Sequence, residues 1–340
     1  MMTREQALLL CEKNERALRS SLLSLPFGCS IHLTLSEPWM LASVMELFEG
    51  SLTGSQFVGR RIGSYSLHPG SLQHRRIENS RAPMLTELRL LNTAAGRRQL
   101  GRFLAEGETI VRRAVMDGLP ILNLIYTSTL TKSSEGRELL GLAEERSITL
   151  SIISEGILAK ITTTRPTPAA LADIYLPLRD AGSFYNTPDS TLLIAENINN
   201  PDNLGMTIRT ADAANVDAVA LIGEKTDPLH KNCVRSSRGA VGRLPILRSS
   251  DPSSFLLMLK ESGFRIAAAT GQGETELHQA DLLPPVAILV GNEQDGLSHN
   301  MLSLSTQRIC IPMAPGQDSL NVGVAAGVML YEAWRQRQIE

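Results

Sequence analysis

The spacing of apolar and polar positions divides the chain near residue 84. Before that point, Thr3-x-x-Gln6 forms a capping box in front of an apolar run, which predicts a helix over 4–24. Ser36 is a candidate cap for a second helix. The stretch 51–80 is rich in Ser, Gly and Arg without periodicity and is typical of a linker. The pattern therefore predicts a partly helical N-terminal extension over 1–80.

From residue 84 onward, short apolar runs alternate with helical patterns, and the first group predicts a small α/β unit over 84–178. Its strands are predicted at 102–105, 121–126 and 148–153, and its helices at 108–117 and 135–145. The polar segment 179–190 contains glycine, asparagine and proline, which favour turns, and it predicts a linker.

A second α/β unit is predicted over 190–340. Its strands are expected at 191–195, 217–222, 264–270, 285–290 and 308–311, and its helices at 203–214, 251–262 and 319–337. The nearly continuous Val, Ile, Leu and Ala of the strands indicate a parallel sheet that is covered on both faces. Because ligands of such sheets bind beyond the carboxyl ends of the strands, we expect the chemistry in those loops.

The composition is that of a globular protein, with 43% hydrophobic and 20% charged residues. No apolar run approaches the roughly 20 residues that a membrane span needs, and the N-terminus lacks the pattern of a signal peptide. The four cysteines lie far apart, without a histidine at ligand spacing. This arrangement argues against a zinc site and a disulfide framework, and it favours a cytoplasmic location.

The formal net charge of −2 hides a local excess of arginine. Between residues 51 and 120 there are eleven arginines and five acidic residues. Such a stretch predicts a phosphate-binding surface. A solvated, arginine-rich helix face is the alternative interpretation.

The loop after the first strand of the second unit continues from Asn199 to Arg209 and is rich in polar residues. Asp202 or Asn203 is a candidate cap of the next helix, with Arg209 in its second turn. A cation near a helix N-terminus opposes the helix dipole unless an anion, such as an RNA phosphate, is shared there. An ion pair between Arg209 and a neighbouring acid is the alternative.

Two later loops also follow predicted strands. In the first, Gly291 and Gly296 permit a tight turn and the close approach of a ligand, and Glu293 lies between them. An ordinary strand-to-helix turn is the alternative. In the second, a Pro- and Gly-containing segment leads into a helix that is expected to start near Ser319, so that Ser319 and Asn321 face the same crevice.

The helix after the last loop is apolar nearly all round, and Gly323 and Gly327 leave a smooth stripe along it. Either the core or a subunit interface must cover such a helix.

The segment Thr270-Gly271-Gln272-Gly273 is similar to the start of the glycine-rich loop that binds dinucleotides in Rossmann folds. The third glycine position holds Glu276, so the fingerprint fails.

Together the three loops resemble the signature motifs of the TrmH-type branch of the SPOUT methyltransferases. The first motif is met by Asn199, Asn203, Gly205 and Arg209, the second by Gly291 to Ser298, and the third by Ile311 to Met313, Gly316 and Ser319 to Val322. The third motif often continues with a serine, where this chain has Gly323. The first α/β unit resembles the L30e-like RNA-binding domain of many members, so the resemblance covers about 85–340.

The resemblance implies an α/β fold with a trefoil knot in the catalytic domain, and a reaction in which S-adenosylmethionine methylates a ribose 2′-hydroxyl of RNA without a metal. The implied catalytic residues are Arg209, Glu293, Ser319, Asn321 and Asn203. The implied cofactor-binding residues are Thr270, Gly271, Gly291, Asn292, Gly296, Ile311, Met313, Ser319 and Leu320. Family members are usually dimers, which agrees with the glycine-striped C-terminal helix.

Alternatives concern the role of Arg209, the class of RNA and the reaction itself. Arg209 is the family's favoured base, but a guanidinium is hard to deprotonate, so gripping a phosphate and stabilising the developing alkoxide is the alternative role. The L30e-like unit favours rRNA over tRNA as the substrate. An RNA-binding protein that has lost catalysis, or an enzyme that methylates a base nitrogen, is the alternative function. The complete set of Arg209, Glu293, Ser319 and Asn321 argues against a loss of catalysis. The presence of Arg209 in the first motif argues against a base nitrogen as the acceptor.

Overall fold

The computed structural model describes residues 74–176, 179–181, 188–223, 226–317 and 319–338. The helices predicted before residue 74 lie outside these ranges. The strands are β1 (Arg75–Ile77), β2 (Arg102–Glu106), β3 (Ile121–Tyr126), β4 (Leu150–Ile153), β5 (Ala170–Tyr175), β6 (Arg179–Asp180), β7 (Thr191–Glu196), β8 (Ala218–Ile222), β9 (Ile246–Ser249), β10 (Arg265–Ala269), β11 (Thr275–Glu276), β12 (Val286–Val290) and β13 (Gln307–Cys310).

The α-helices connect these strands and cover the sheets. They are α1 (Pro83–Leu90), α2 (Ala94–Leu100), α3 (Glu108–Met116), α4 (Ser134–Glu145), α5 (Glu155–Leu158), α6 (Pro201–Ala213), α7 (Lys231–Ser236), α8 (Ala240–Arg243), α9 (Pro252–Glu261), α10 (His299–Leu304) and α11 (Val322–Arg337). No helix in the described ranges is long and apolar enough to cross a membrane.

The first sheet has five strands in the order β1-β4-β3-β5-β2. Strand β4 pairs in parallel with β1 and β3, whereas β5 is antiparallel to β3 and β2. Neighbouring residues of a strand point to opposite faces. Accordingly Phe103 and Leu124 enter one apolar cluster, and Leu104 and Ile125 enter another. Helices cover both faces, so the sheet is buried on both sides.

The second sheet has eight strands in the order β11-β13-β10-β12-β7-β8-β9-β6, and all of its pairs are parallel. Its central strands are buried along their whole length, as the apolar runs predict. The prediction of a mainly parallel α/β sheet is therefore confirmed. Because all strands run the same way, the loops after β7, β10, β12 and β13 meet at one edge.

The two sheets share one apolar cluster, which includes Phe103 and Tyr126 of the first and Leu193 and Ile288 of the second. Ion pairs also join them. Arg97 contacts Asp227 at 2.6 Å, and both side chains are largely buried. Arg243 contacts Asp117 of the first half at 2.7 Å and also pairs with Asp212 of α6.

The structure corrects several predicted boundaries. Part of the predicted linker 51–80 is β1, which extends the first sheet beside β4. Part of the predicted linker 179–190 is β6, which pairs with β9 at the edge of the second sheet. The short elements α7, α8 and β9 were not predicted, because four to six residues show no clear period.

Candidate active site

Helix α6 carries the first group of candidate residues. Asn200 caps it, since its side-chain oxygen accepts the amide of Asp202 at 2.9 Å, and Pro201 occupies the first turn. The prediction of Asp202 or Asn203 as the cap is therefore wrong by two or three residues. As a consequence Arg209 lies in the third turn, where the helix dipole has little effect on it.

Close packing fixes α6 against α7. A Cβ on Gly205 would lie 1.9 Å from the hydroxyl oxygen of Ser236 and 2.5 Å from the carbonyl oxygen of Cys233. Only a glycine allows the two helices this approach. Burial raises the pKa of the Cys233 thiol well above its ordinary value, so this cysteine is a neutral packing group and not a nucleophile.

The side-chain amide of Asn203 joins the loops after three strands. Its nitrogen donates to Glu293 in the loop after β12. Its oxygen accepts from the side-chain nitrogen of Asn321, after β13, at 3.0 Å. The oxygen of Asn321 in turn accepts the amide of Gly323 at 2.9 Å and caps α11. The cap fixes the orientation of Asn321, and this orients Asn203 so that its NH2 group faces the Glu293 carboxylate.

The loop that holds Glu293 is stabilised by Asn292. The side-chain nitrogen of Asn292 donates to the carbonyl of Asn197 at 2.8 Å, and its oxygen accepts the amide of Gln294 at 2.8 Å. A Cβ on Gly291 would lie 2.3 Å from the carbonyl carbon of Gly296. The atoms that come close to Gly291 therefore belong to the backbone of the same loop.

Glu196 at the end of β7 supports the same loop and was not predicted. Its side chain is 5% exposed and accepts the amide of Ser298 at 2.7 Å. A lone glutamate at the end of an otherwise apolar strand was the signal in the sequence, because a buried carboxylate needs a donor nearby.

Arg209 and Ser319 are both exposed, and neither side chain forms a hydrogen bond or ion pair with another residue of the described ranges. The alternative pairing of Arg209 with a neighbouring acid is thus not observed there. The structure brings together Asn203, Glu293 and Asn321, and it leaves the other two predicted catalytic residues outside this network. The helix expected to start near Ser319 begins at Val322.

The predicted cofactor loops lie at the same edge of the sheet. The amide of Thr270 donates to the carbonyl of Ile309 at 2.9 Å, which ties the turn containing Gly271 to β13. Beyond β13, the amides of Met313, Ser319 and Leu320 have no partner among the described residues. These loops therefore present, next to Asn321, backbone donors that have no acceptor within the described ranges.

Helix α11 is covered on one side by α6 of the same chain. A Cβ on Gly327 would lie 3.3 Å from Thr210 of α6, and one on Gly323 would lie 3.4 Å from Met206. The glycine stripe therefore packs against α6. A different face of α11 is exposed and apolar, with Val324, Val328, Tyr331 and Trp334 between 39% and 52% accessible.

The arginine excess of 51–120 is only partly a surface feature. Arg97 and Arg102 are 5% and 7% exposed and lie in internal ion pairs. Burial alone would lower the pKa of Arg102, but its hydrogen bonds and charge contacts with Asp173 and Glu87 raise it above the ordinary value. The prediction of a phosphate-binding surface is wrong for these two residues.

Two family models match the chain. Residues 190–331 match the SpoU rRNA Methylase family, and residues 82–172 match the MRM3-like substrate binding domain. A tRNA/rRNA methyltransferase of Synechocystis, itself uncharacterised, is 30% identical over 264 residues, which cover 77% of this chain and 94% of the relative.

Solved structures agree with this match. The AdoMet-bound rRNA methyltransferase from Sinorhizobium meliloti has 27% identity and a TM-score of 0.68, covering 77% of this chain and 98% of that one. A structure described as an RNA 2′-O ribose methyltransferase has 31% identity and a TM-score of 0.64, covering 77% and 99%. With its parallel sheet, its site loops and its preceding substrate-binding unit, the chain belongs to the SpoU/TrmH family of RNA methyltransferases.

Proposed function

We propose that this protein methylates a ribose 2′-hydroxyl of rRNA, with S-adenosylmethionine as the methyl donor. The observation that carries the proposal is the hydrogen-bonded set Asn203, Glu293 and Asn321, which joins three loops at one edge of the parallel sheet. The similar structures include an AdoMet-bound rRNA methyltransferase and an RNA 2′-O ribose methyltransferase, which supports the cofactor and the acceptor group.

The residues of this chain fit the cofactor. The amides of Met313, Ser319 and Leu320, which have no acceptor in the part of the chain that the structure describes, suit an adenosine that is held by backbone groups. We assign the same role to the turn at Thr270 and Gly271, to the loop Gly291–Gly296 that contains Asn292, and to Ile311. When bound, the cofactor supplies a methyl group on a positively charged sulfur, so that no metal is needed for its transfer.

Arg209 has the role of stabilising the negative charge that develops on the ribose oxygen. A guanidinium remains protonated at any physiological pH, and an exposed one without a carboxylate partner is available to RNA. We propose that Glu293, held by Asn203, orients the acceptor ribose, and that Asn321 and Ser319 line the same crevice. Activation of the hydroxyl by Arg209 as a base is the competing role.

Three further proposals concern the organisation of the protein. The L30e-like unit is assigned to 84–178 and the knotted catalytic domain to 190–340, after an extension over 1–80 of unassigned role. The exposed apolar face of α11 is proposed as the surface of a homodimer, because apolar side chains of this size rarely stay in water on a monomer. We also propose a cytoplasmic location, because the four widely spaced cysteines suit a reducing compartment.

The proposal is tested by mapping 2′-O-methyl groups across total RNA from cells with and without the gene. We expect the loss of one rRNA position. The loss of a tRNA position instead would make tRNA the substrate, and the loss of a base methyl group would refute ribose as the acceptor. Calorimetry with S-adenosylmethionine is the companion measurement, and a folded protein that does not bind it would be no more than an RNA-binding protein of this fold.

A further inference from the structure

A cleft of about 240 Å3 opens between the two halves of the described chain. The first half contributes Glu106, Thr163 and Arg165, and the second contributes Lys231 and Arg235 from α7. None of these residues belongs to the motifs that indicated the active site. Three cations and one carboxylate thus line the cleft, so its charge favours an anion.

Two of the cations have no counterion among the described residues. Arg165 donates only to backbone carbonyls, those of Thr164 at 2.8 Å, Thr162 at 3.2 Å and Ala159 at 3.3 Å. Lys231 donates to the hydroxyl of Thr163. Neither forms an ion pair with a carboxylate of the described ranges. By contrast, Arg97 and Arg243, which join the two halves, are paired with acids.

The cleft is held in place next to the active site. Arg235 contacts Asp202 at 2.9 Å, and Asn232 donates to the same carboxylate at 3.5 Å. Asp202 directly precedes Asn203 on α6, and Gly205 locks α6 against α7. The distance from Lys231 on α7 to Asn203 on α6 is therefore fixed by two tightly packed helices.

We propose that this cleft binds a backbone phosphate of the RNA close to the nucleotide that is methylated. The proposal rests on the proposed function, to which it adds the path of the substrate. The guanidinium of arginine, the ammonium of lysine and the hydroxyl of threonine are the side-chain groups that usually hold phosphate oxygens. A phosphate held here would place the RNA across both halves of the protein, because Arg165 and Lys231 come from different halves.

Glu106 is the one carboxylate among the described charged residues that line the cleft, so replacing it tests whether a negative charge there weakens RNA binding. One of its oxygens accepts from the hydroxyl of Thr162. Its negative charge opposes a phosphate in the cleft, so Glu106→Gln is expected to strengthen RNA binding, whereas neutralising a cation is expected to weaken it.

The experiment measures the binding of a fluorescein-labelled oligouridylate to the full chain by fluorescence anisotropy at several salt concentrations. Replacing both Arg165 and Lys231 by Gln is expected to weaken binding about tenfold at low salt and to reduce the salt slope by about 0.7, the contribution of one phosphate contact on a single strand. Lys260→Gln is the matched control, because Lys260 is an exposed cation on α9.

Arg165→Gln also removes the hydrogen bonds that support its own loop. Lys231→Gln is therefore measured alone as well, because it leaves that loop unchanged, and Lys231→Arg is expected to retain binding. Unchanged binding in the double variant, or no measurable binding by the wild type, overturns the proposal. Calorimetry with S-adenosylmethionine and the map of 2′-O-methyl groups distinguish a failure of the cleft proposal from a failure of the proposed function. If only the cleft is assigned wrongly, the wild type still binds the cofactor and modifies rRNA.

Discussion

Asn203 uses both ends of its side-chain amide, donating to Glu293 and accepting from Asn321. An aspartate at this position would lose the contact with Glu293 and an alanine would lose both contacts, because only an amide offers a donor and an acceptor at this size. Arg209 is different, since its side chain forms no hydrogen bond or ion pair within the described ranges. The first residue acts within the protein, and the second is free to act on the substrate.

Arg209→Ala is expected to reduce methyl transfer by about 100-fold or more, which is typical for the loss of one group that stabilises developing negative charge. Cofactor affinity should stay within a few-fold, because Arg209 is not part of the cofactor loops. Transfer is measured with a labelled methyl group and affinity by calorimetry. Arg209→Lys keeps the charge but not the planar fork, so it should retain part of the activity. Wild-type turnover in the alanine variant would contradict both roles considered for Arg209.

Gly323 stands where the resemblance to the third motif led us to expect a serine, and the structure shows an unmet donor beside it. The hydroxyl of Thr207 is buried without a partner in the described chain, and a Cβ on Gly323 would lie 3.6 Å from it. We expect Gly323→Ser to be more stable than Gly323→Ala by about 1 kcal/mol, the value of one hydrogen bond. Urea denaturation of the two variants tests this. Equal stability would mean that the serine hydroxyl does not reach Thr207.

At the scale of elements, α11 has two functions on two faces. Its glycines allow α6 to approach, and this brings Asn321 at its N-terminus to Asn203. Its exposed face carries Val324, Val328, Tyr331 and Trp334. The apolar character all round the helix thus has two separate causes, one inside the subunit and one on its surface.

Trp334→Glu is expected to dissociate the proposed dimer, because a charge placed on a buried apolar contact leaves it desolvated. Light scattering over a range of protein concentrations measures the change. Leu257→Glu is the matched control, since Leu257 is 46% exposed on α9, away from this face. A wild type that is monomeric at micromolar concentration, or a Trp334 variant that remains dimeric, would refute the assignment of this surface.

The long apolar strands and helices could be predicted from the sequence, because burial on both faces leaves a strong signal in β7, β8 and β12. The ends of helices were harder to predict. Around Pro201 several residues can cap, and the proline at the first helical position was the signal that selects Asn200. The contact of Asn203 with Asn321 spans 118 positions. No local pattern predicts such a contact, and only the resemblance placed both residues in one site.

At the scale of the whole molecule, the two halves are joined by a shared apolar cluster and by buried charge pairs. Arg97 also donates to the carbonyl of Leu91 at 2.7 Å, so its guanidinium is held from both halves. The cleft proposed to hold RNA phosphate lies beside this contact, since His230 and Lys231 follow Asp227 closely in the chain. The geometry of the cleft therefore depends on the contact between the halves.

Arg97→Met is expected to lower the free energy of unfolding by about 3 kcal/mol, because it leaves the largely buried Asp227 without its counterion. Chemical denaturation, followed by circular dichroism, measures the loss. Arg76→Met is the matched control, since the Arg76–Glu78 pair is 72% and 78% exposed and should contribute less than about 1 kcal/mol. Similar losses in both variants would show that the contact between the halves adds no stability.

The wide spacing of the active-site residues along the chain has a consequence for biosynthesis. All five strands of the first sheet lie within residues 75–175, so that sheet can form while the rest of the protein is still being translated. The set of Asn203, Glu293 and Asn321 requires segments 90 and 118 positions apart, and it cannot exist until the ribosome has passed Asn321. A nascent chain therefore completes the residues that match a substrate binding domain well before it can form this set, and a product that terminates before Asn321 lacks the set altogether.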